Sequence, residues 1–422
     1  MTARQFPTAP LSLITLLITI SVLPAAHAST PVPFGVATFT PLPHLPNGPQ
    51  ESYASTLTDD GRIVVGLRYE QNTQRQIPIR WVDGVAEMLP LPPGQVSGGA
   101  EGVSRDGSVI VGYTGSFFGI SRPTKWDGGT VTVLPRASIS NNRGSAKGVA
   151  LNGTLIVGSI GSGGERPARF TGTTASYYSD LPGNPEEGDV KAVSNDGRVA
   201  VGYGYSSPSS FRACRWIDFG PAQALSGIAG VSGNSEAFNI SQDGSVIVGY
   251  IGNFPVRWVN NGTAESLGTF SGGFWEAVAT SLTDDGRSIV GFASPAGSQR
   301  VAFLWREGRG IAPLQSVLES EFHLGLPGWT LAVASGITAT GNAICGWGIN
   351  PHGEAQGWIV HFALPCFADL NNTGTINNAD LVYFLGRFGQ PPLPDEPADL
   401  NNDGAVDTAD LVRFLGRFGA SC

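Results

Sequence analysis

The fold is decided by the segment Glu101-Gly102-Val103-Ser104-Arg105-Asp106-Gly107-Ser108-Val109-Ile110-Val111-Gly112, because variants of it occur seven times along the chain. An Asp-Gly pair between two apolar runs indicates a tight hairpin, since glycine readily adopts the positive φ that such a turn requires. A second glycine follows each turn glycine by five residues. The seven pairs are Gly61/Gly66, Gly107/Gly112, Gly153/Gly158, Gly197/Gly202, Gly244/Gly249, Gly286/Gly291 and Gly341/Gly346.

Each repeat continues past this hairpin with two more extended segments. An aromatic residue follows the second glycine by 9 to 15 residues, and a leucine-bearing segment then ends the unit. The aromatic residues are Trp81, Trp126, Phe170, Trp216, Trp258, Trp305 and Trp358. Four short strands in a repeat of about 45 residues are typical of β-propellers, in which each repeat forms one blade. We therefore predict an all-β fold for residues 34–362, a seven-bladed β-propeller of four-stranded blades.

The ring is predicted to close through its N-terminal strand. The seventh repeat lacks the leucine segment after Trp358, and an orphan segment of that type stands at residues 39–45. Pairing the two would remove the free strand edges that invite aggregation. The units resemble extracellular HAF-type repeats, a family that implies this architecture and very little about activity.

The composition excludes several classes of protein. The chain has 422 residues, of which 58 are Gly and 30 are Pro, and only 14% are charged. Gly and Pro disfavour helix interiors, so long helical bundles are not expected. The net charge of −9 argues against nucleic acid and anionic membrane surfaces as partners.

The first 28 residues have the pattern of a secretory signal peptide. Arg4 precedes the apolar run Leu11–Leu23, and Ala26-His27-Ala28 supplies the small residues that signal peptidase needs. A membrane anchor is the competing interpretation, but a bilayer span takes about 20 apolar residues. We expect a secreted protein, extracellular or at the cell surface, that begins at Ser29, does not insert into the membrane and is a monomer.

Catalytic motifs are scarce in the repeats. The chain has no HExxH, GxSxG or P-loop pattern. The Ser/Thr-x-Asp-Gly turns faintly resemble Asp-box turns of sialidase propellers, but one copy per blade favours a structural role. A carboxylate pair on different blades would have no recognisable spacing. The irregular segments to inspect are the insert with Glu319, Glu321 and His323 and the acidic stretch 186–189.

A row of basic residues precedes the aromatic positions. Its members are Arg80, Lys125, Arg169, Arg215 and Arg257. They could form a charged ring for an anionic ligand. The favoured interpretation is that they pair with turn carboxylates or pack along neighbouring blades.

The last sixty residues contain two loops with the spacing of EF-hand calcium sites. In both loops oxygen side chains stand at positions 1, 3, 5, 9 and 12, a glycine stands at position 6, and position 7 offers its carbonyl, as hard cations require. The predicted ligands are Asp369, Asn371, Thr373, Thr375, Asn377 and Asp380 in the first loop and Asp399, Asn401, Asp403, Ala405, Asp407 and Asp410 in the second. The second loop has four carboxylates against two, so we expect it to bind calcium more tightly.

An apolar stripe at helical spacing follows each loop, so each copy is predicted to be a loop and one amphipathic helix. The two stripes, which we expect to pack on each other, are Leu381, Phe384, Leu385 and Phe388, and Leu411, Phe414, Leu415 and Phe418.

This duplicated unit over residues 366–422 resembles the type I dockerin module in its Gly-Cys-terminated bacterial variety. The resemblance implies calcium as cofactor and a cohesin-like module as partner. It places recognition at loop positions 10 and 11, which are Asn378, Ala379, Thr408 and Ala409. Leu385-Gly386 and Leu415-Gly416 replace a Lys-Arg pair that is common in dockerins, and the proline-rich connector 390–394 departs from the usual helix.

The four cysteines divide into two kinds. Cys366 and Cys422 bracket the C-terminal module, where a disulfide would join its ends in an oxidising compartment. Cys345 occupies a position held by valine in other repeats and is expected to be a buried free thiol. Cys214 lies in a distant blade, which makes a 214–345 bridge geometrically improbable.

The sequence therefore predicts a secreted, non-catalytic propeller that binds protein or carbohydrate such as polysaccharide. Its calcium module is predicted to attach it to a scaffold or cell surface. The alternative is a propeller glycoside hydrolase acting in polysaccharide degradation. Two carboxylates about 5 to 10 Å apart at one end of the ring would favour the enzyme. A purely structural surface protein is a third possibility.

Overall fold

The computed structural model describes residues 36–45, 51–70, 73–115, 120–135, 143–150, 153–161, 164–182, 187–270, 273–295, 299–363, 368, 370–371, 376–390, 398–400, 405–416 and 418. The predicted signal peptide lies outside these residues. So do both cysteines of the predicted disulfide, Cys366 and Cys422.

Seven antiparallel four-stranded sheets form the blades. Blades one to three contain β2 (Glu51–Leu57), β3 (Ile63–Glu70), β4 (Arg75–Val82), β5 (Val85–Met88), β6 (Ser97–Val103), β7 (Val109–Gly115), β8 (Ser121–Asp127), β9 (Thr130–Val133), β10 (Arg143–Val149), β11 (Leu155–Gly161), β12 (Arg166–Thr171) and β13 (Thr174–Tyr177). Blades four to six contain β14 (Gly188–Val193), β15 (Val199–Ser207), β16 (Ser210–Ile217), β17 (Gln223–Ala224), β18 (Ser235–Ile240), β19 (Val246–Ile251), β20 (Phe254–Val259), β21 (Glu265–Ser266), β22 (Phe274–Leu282), β23 (Ser288–Pro295), β24 (Val301–Arg306) and β25 (Gly310–Pro313). The seventh blade combines β26 (Thr330–Ile337), β27 (Ala343–Ile349) and β28 (Ala355–Ala363) with β1 (Val36–Pro41).

The blades close into a ring in the predicted way. The first strand of each blade contacts the first strand of the next, and β2 contacts β26, so these seven strands are the innermost. At the outer edge of blade seven, β1 pairs antiparallel with β28, with Val36 opposite Ala363 and Pro41 opposite Trp358. Leu42 follows β1 and is buried in the core that blades seven and one share. The seven-bladed architecture and its N-terminal closure are thus confirmed.

The two glycines of each repeat have different structural roles. The first is a turn residue with positive φ, for example 73° at Gly107. The second pairs with the inner strand so closely that a Cβ on Gly249 would lie 1.9 Å from the carbonyl oxygen of Glu236. The same approach occurs in all seven blades, so a side chain at this position would collide with backbone.

The repeated tryptophan joins neighbouring blades. Trp81, Trp126, Trp216 and Trp258 are buried, and each indole Nε1–H donates a 2.8 Å hydrogen bond to a backbone carbonyl of the preceding blade. The apolar core is distributed between the blades, since these clusters each take residues from two consecutive units.

The insert between the sixth and seventh repeats forms a short helix, α1 (Leu314–Glu321). Leu314, Val317 and Leu318 bury its inner face in the core. Glu321 pairs with Arg306 and Arg309, which lowers the pKa of its carboxyl. The insert therefore has a packing role.

The C-terminal segment contains two helices, α2 (Asn378–Arg387) and α3 (Thr408–Leu415). Both begin with a capping box, which Asn377 forms with Asp380 and Asp407 forms with Asp410. The rings of Phe384 and Phe414 are fully buried and stacked, with centroids 5.5 Å apart. The amide of Gly389 donates to the carbonyl of Val406 at 2.8 Å, so the two copies are hydrogen-bonded to each other.

The two apolar stripes pack on each other, as predicted, through part of their length. Phe384 and Phe414 are buried in one core, and Leu381 and Leu411 pack against it. Leu385 is 54% exposed and Leu415 is 53% exposed. Phe388 and Phe418 are also exposed and lie beyond the last residues of α2 and α3. The prediction therefore holds for half of each stripe.

Candidate ligand site in the central channel

Every inner strand has a β-bulge at the same place, six residues before the turn glycine. A bulge adds one residue to a strand and re-aims its side chain. The seven bulge residues are Ser55, Glu101, Lys147, Lys191, Phe238, Thr280 and Ser335. One side chain from each blade is therefore presented at the axis of the ring.

All seven bulge residues line one cavity of about 480 Å³. The side chains that line it differ in type from blade to blade. Blades two to five contribute Glu101, Lys147, Lys191 and Phe238, which we call the charged sector. The bulge residues of the other three blades are Ser55, Thr280 and Ser335, which we call the hydroxyl sector. A volume of this size suits a small-molecule ligand.

Lysine is used sparingly outside this channel. The chain has only three lysines, Lys125, Lys147 and Lys191. Two of them line the cavity. These two lysines thus place compact ammonium groups on flexible stems at the axis. Arginine, with its planar guanidinium, would not be equivalent there.

A buried ion network lies behind the cavity wall. Lys191 Nζ lies 3.1 Å from Asp189 and 2.9 Å from Glu236, and Lys147 also contacts Asp189. Asp189 is 1% exposed and Glu236 is 8% exposed. Burial opposes ionisation of Asp189, but the two lysines outweigh it and lower the pKa of this carboxyl. The same carboxylates hold the pKa of Lys191 well above its usual range in spite of burial.

Glu101 differs from these paired acids. Its carboxyl bonds to Ser145 of the next blade, and its buried Oε2 has no hydrogen-bond partner among the described residues. Burial raises the pKa of Glu101, with Lys147 opposing and Asp189 reinforcing the shift. The carboxyl of Glu101 in the cavity wall therefore favours the protonated state, and that of Asp189 behind the wall favours the ionised state.

The hydroxyl sector also joins adjacent blades. Thr280 Oγ1 donates to the carbonyl of Ala334 at 2.7 Å, and Ser335 Oγ donates to the carbonyl of Ala54 at 2.7 Å. Because these hydroxyls donate their protons to backbone carbonyls, they can only accept hydrogen bonds from a ligand.

A second charged cluster lies where the inner strands end. Arg105 of blade two contacts Asp59 of blade one at 2.7 Å and Asp284 of blade six at 3.3 Å. Blades two and six are not neighbours, so this contact reaches across the ring axis at the turn end of the channel. Burial raises the pKa of both Asp59 and Asp284, against the influence of Arg105. The two carboxylates share one guanidinium, an arrangement suited to closing the channel.

The repeated turn residues have local structural roles. In blade two, Ser104 Oγ donates to Asp106 at 2.6 Å and accepts from the amide of Val109 at 2.9 Å. The corresponding residues of blades four and five make the same bonds. These bonds lower the pKa of Asp106, chiefly through Ser104. The structural interpretation of the turns agrees with this geometry.

The basic row follows its favoured interpretation in part. Arg80 and Lys125 pair with acids of their own blades, Arg215 bonds to Gln223, Arg257 contacts Glu265 and Glu307, and Arg169 stacks 3.3 Å from the ring centroid of Phe219. None of the five lines the channel cavity that the described residues form.

Sequence reasoning missed the bulge residues. It identified the acidic stretch that contains Asp189, and Asp189 is in the ion network. The signal that could have identified them is the position six residues before each turn glycine. The residue type at this position differs among the repeats, whereas the residues around it are similar.

The predicted calcium ligands are only partly described. Asn371, Asn377, Asp380, Asp399, Ala405, Asp407 and Asp410 belong to the described residues, and Asp369, Thr373, Thr375, Asn401 and Asp403 lie outside them. Asp380 is fully buried, and its two oxygens accept from the amides of Asn371 at 3.1 Å and Asn377 at 2.9 Å. Asp410 is fully buried too and accepts from the amide of Asp407 at 2.9 Å. Within the described part of the chain, no three His, Cys, Asp or Glu side chains cluster as metal ligands.

The predicted partner-binding residues Asn378, Ala379, Thr408 and Ala409 are exposed at the starts of α2 and α3. Cys214 and Cys345 are buried free thiols, as predicted. Burial raises the pKa of the Cys345 thiol to about 12.

Comparison with known proteins supports the β-propeller fold but does not show a family. No family model matches the chain, and no curated protein matches it significantly. Among solved structures it resembles one in a study of two prolyl endopeptidases (11% identity, TM-score 0.50), with 76% of this chain and 51% of that chain covered. It also resembles TolB from Acinetobacter baumannii (14% identity, TM-score 0.42, 60% of this chain and 63% of that chain). A third is the β-propeller domain of the trilobed protease from Pyrococcus furiosus (12% identity, TM-score 0.42, 63% and 84%). The likeness shows a β-propeller.

The helices in the described part of the chain are all too short or too polar to cross a membrane.

Proposed function

We propose that this protein is a secreted, non-catalytic β-propeller that binds carbohydrate or protein in its central channel. A calcium-binding, dockerin-like module attaches it to a scaffold or cell surface. The observation that carries the proposal is the contrast between equivalent turns and non-equivalent bulges. Residues that only build a blade repeat seven times, whereas the seven side chains at the axis include two lysines, one glutamate and one phenylalanine. A binding site needs this kind of local asymmetry.

The arrangement of acids favours binding over hydrolysis. Asp189 and Glu236 both contact lysines, and Asp59 and Asp284 share Arg105. A glycoside hydrolase needs one carboxyl to donate a proton while another attacks or activates water. These pairings occupy the carboxylates that such a reaction would use.

One observation favours the alternative, a glycoside hydrolase delivered by its dockerin-like module. The pKa of Glu101 in the cavity wall is raised, and that of Asp189 behind the wall is lowered. Such divergence is how acid and base roles are assigned in carboxylate enzymes. Release of reducing ends from a glycan would establish this second function.

A panel of glycans and peptides tests the proposal. We expect at least one of them to bind the full chain without being cleaved, and we expect Phe238→Ala to weaken that binding about tenfold or more through loss of an aromatic face in the channel. Phe388→Ala, an exposed phenylalanine of the C-terminal segment, is the control and should bind normally. Unaltered binding by Phe238→Ala, or no binding of any panel member, would contradict a ligand site in the channel.

Calcium is proposed for the two C-terminal loops because their donor set is made of oxygens alone. The first loop would use Asp369, Asn371, Thr373, Asn377 and Asp380 with the carbonyl of Thr375. The second would use Asp399, Asn401, Asp403, Asp407 and Asp410 with the carbonyl of Ala405. The buried carboxyls at position 12 fit this role, since they already accept amide hydrogen bonds from their own loops.

The second loop is expected to fill first in a calcium titration. Its larger number of carboxylates should give it the higher affinity. Calorimetry on Asp399→Ala should therefore show only the weaker site, and calorimetry on Asp369→Ala should keep the stronger one. Tighter binding by Asp399→Ala than by Asp369→Ala would reverse this assignment.

The partner surface is proposed to be one face shared by α2 and α3. Asn378, Val382 and Leu385 recur at helical spacing, and Val382 is 71% exposed. Thr408, Val412 and Leu415 repeat this pattern in α3, where Val412 is also exposed. Calcium-dependent capture of the full chain by an immobilised cohesin module tests this partner, and capture that persists in chelator or fails with calcium would contradict it.

A further inference from the structure

The channel has one more acidic group than basic groups. Asp189, Glu236 and Glu101 are the acids, and Lys147 and Lys191 are the bases. The lysines contact Asp189 and Glu236, whereas Glu101 bonds to a neutral serine, and the opposing charge of Lys147 does not outweigh the burial that raises its pKa. A cation bound beside Glu101 would stabilise its ionised form, so the channel can accept one more positive charge there.

The wall of the cavity also offers acceptors. Glu101 lines it, and the buried Oε2 of this residue has no hydrogen-bond partner among the described residues. The protons of Thr280 and Ser335 are already donated to backbone carbonyls. A buried acceptor without a partner is unfavourable, so a ligand that donates several hydrogen bonds is favoured.

An aromatic face stands beside these acceptors. Phe238 lines the cavity, with Lys191 Nζ 5.4 Å from its ring centroid. Aromatic rings suit both cations and the apolar faces of ring-shaped ligands. The requirements are thus one cation, several donors and one apolar face.

We propose that the channel binds an amino sugar, whose protonated amine takes Glu101 as its counter-ion and whose hydroxyls donate to the hydroxyl sector. The inference rests on the proposed function, because it assumes that the channel is the ligand site. A simple alkyl amine would supply the charge without the additional donors. A uronate would place a fourth carboxylate beside the three already present, so it is disfavoured.

Three disaccharides with one scaffold test the proposal in calorimetric titrations of the full chain. Glucosamine disaccharide, cellobiose and di-N-acetylchitobiose differ only in carrying an amine, a hydroxyl or an acetamide at carbon 2. We expect the amine to bind at least tenfold more tightly than the other two and more tightly than n-hexylamine. Equal affinities for the three sugars, or equal binding of n-hexylamine, would overturn the inference.

Variants of Glu101 test its role as the counter-ion. Glu101→Gln should remove the preference for the amine, and Glu101→Asp should retain part of it because the charge remains. Glu87→Gln, on the exposed outer strand of blade one, is the matched control and should keep the full preference. A preference that survives in Glu101→Gln would overturn the role of Glu101, and if that variant does not fold, the order of the three sugars on the natural chain decides.

The two proposals fail in different ways. If cellobiose binds as well as the amine and Phe238→Ala abolishes both, the channel is a ligand site and only the amino-sugar inference falls. If sugars bind but Phe238→Ala has no effect, the ligand site lies elsewhere and both proposals fall.

Discussion

Replacing Lys191 by methionine is expected to lower the free energy of unfolding by about 3–5 kcal/mol, because breaking a buried ion pair leaves a buried charge without its partner. Lys191 contacts both Asp189 and Glu236, which are almost fully buried. Methionine matches the stem of lysine in length but supplies no positive charge. Urea unfolding at pH 7 measures the loss.

The loss should depend on pH. Asp189 has a lowered pKa in the folded protein, so its contribution to stability is present above the unfolded pKa and disappears as the pH falls through the folded value. Removing Lys191 takes away one of the two charges that lower the pKa of Asp189, so the difference between the variant and the natural chain should shrink as the pH is lowered below about 4.

Lys125→Met is the matched control. Lys125 pairs with Asp127, which is half exposed, so its loss should cost less than about 1 kcal/mol. Equal losses for the two lysine variants would contradict a buried ion network at the axis.

Replacing Gly249 by alanine is expected to destabilise the fold by about 3 kcal/mol or more, at or beyond the upper end of overpacking costs. The added Cβ would lie 1.9 Å from the carbonyl oxygen of Glu236, and backbone cannot rotate away as a side chain can. The strand pair would have to separate at the bulge, which also holds Phe238 in the channel. Thermal and urea unfolding measure the effect.

Gly227→Ala provides the comparison. Its added Cβ would meet no atom of the described residues within 4 Å, and its φ is not positive. It should change stability by less than about 0.5 kcal/mol. A Gly249→Ala variant as stable as Gly227→Ala would mean that the second glycine of the repeat has another purpose.

The sequence predicts the ring well because its signals are local and repeated. Asp-Gly turns, the second glycine and the aromatic residue each act within one blade or between neighbouring blades. A pattern that is ambiguous in one repeat can be recognised from the other six. The closing strand is equally predictable from the sequence. The orphan segment at residues 39–45 overlaps β1 and includes Leu42, which is buried in the core of blades seven and one.

The channel site could not be read in the same way. A bulge shifts the strand register by one residue, so alternation alone does not tell which side chain faces the axis. Contacts such as Arg105 with Asp284 join residues 179 positions apart. The C-terminal stripes pack only in part for a related reason, because α2 and α3 end before Phe388 and Phe418.

The most direct test of a ligand site in the channel is NMR of the full chain with isotope-labelled lysine. Only three lysines contribute signals, and Lys125 lies outside the cavity that Lys147 and Lys191 line. Adding a panel ligand that binds should shift the Lys147 and Lys191 signals and leave Lys125 in place. Binding that leaves both channel lysines unshifted would contradict the proposed site.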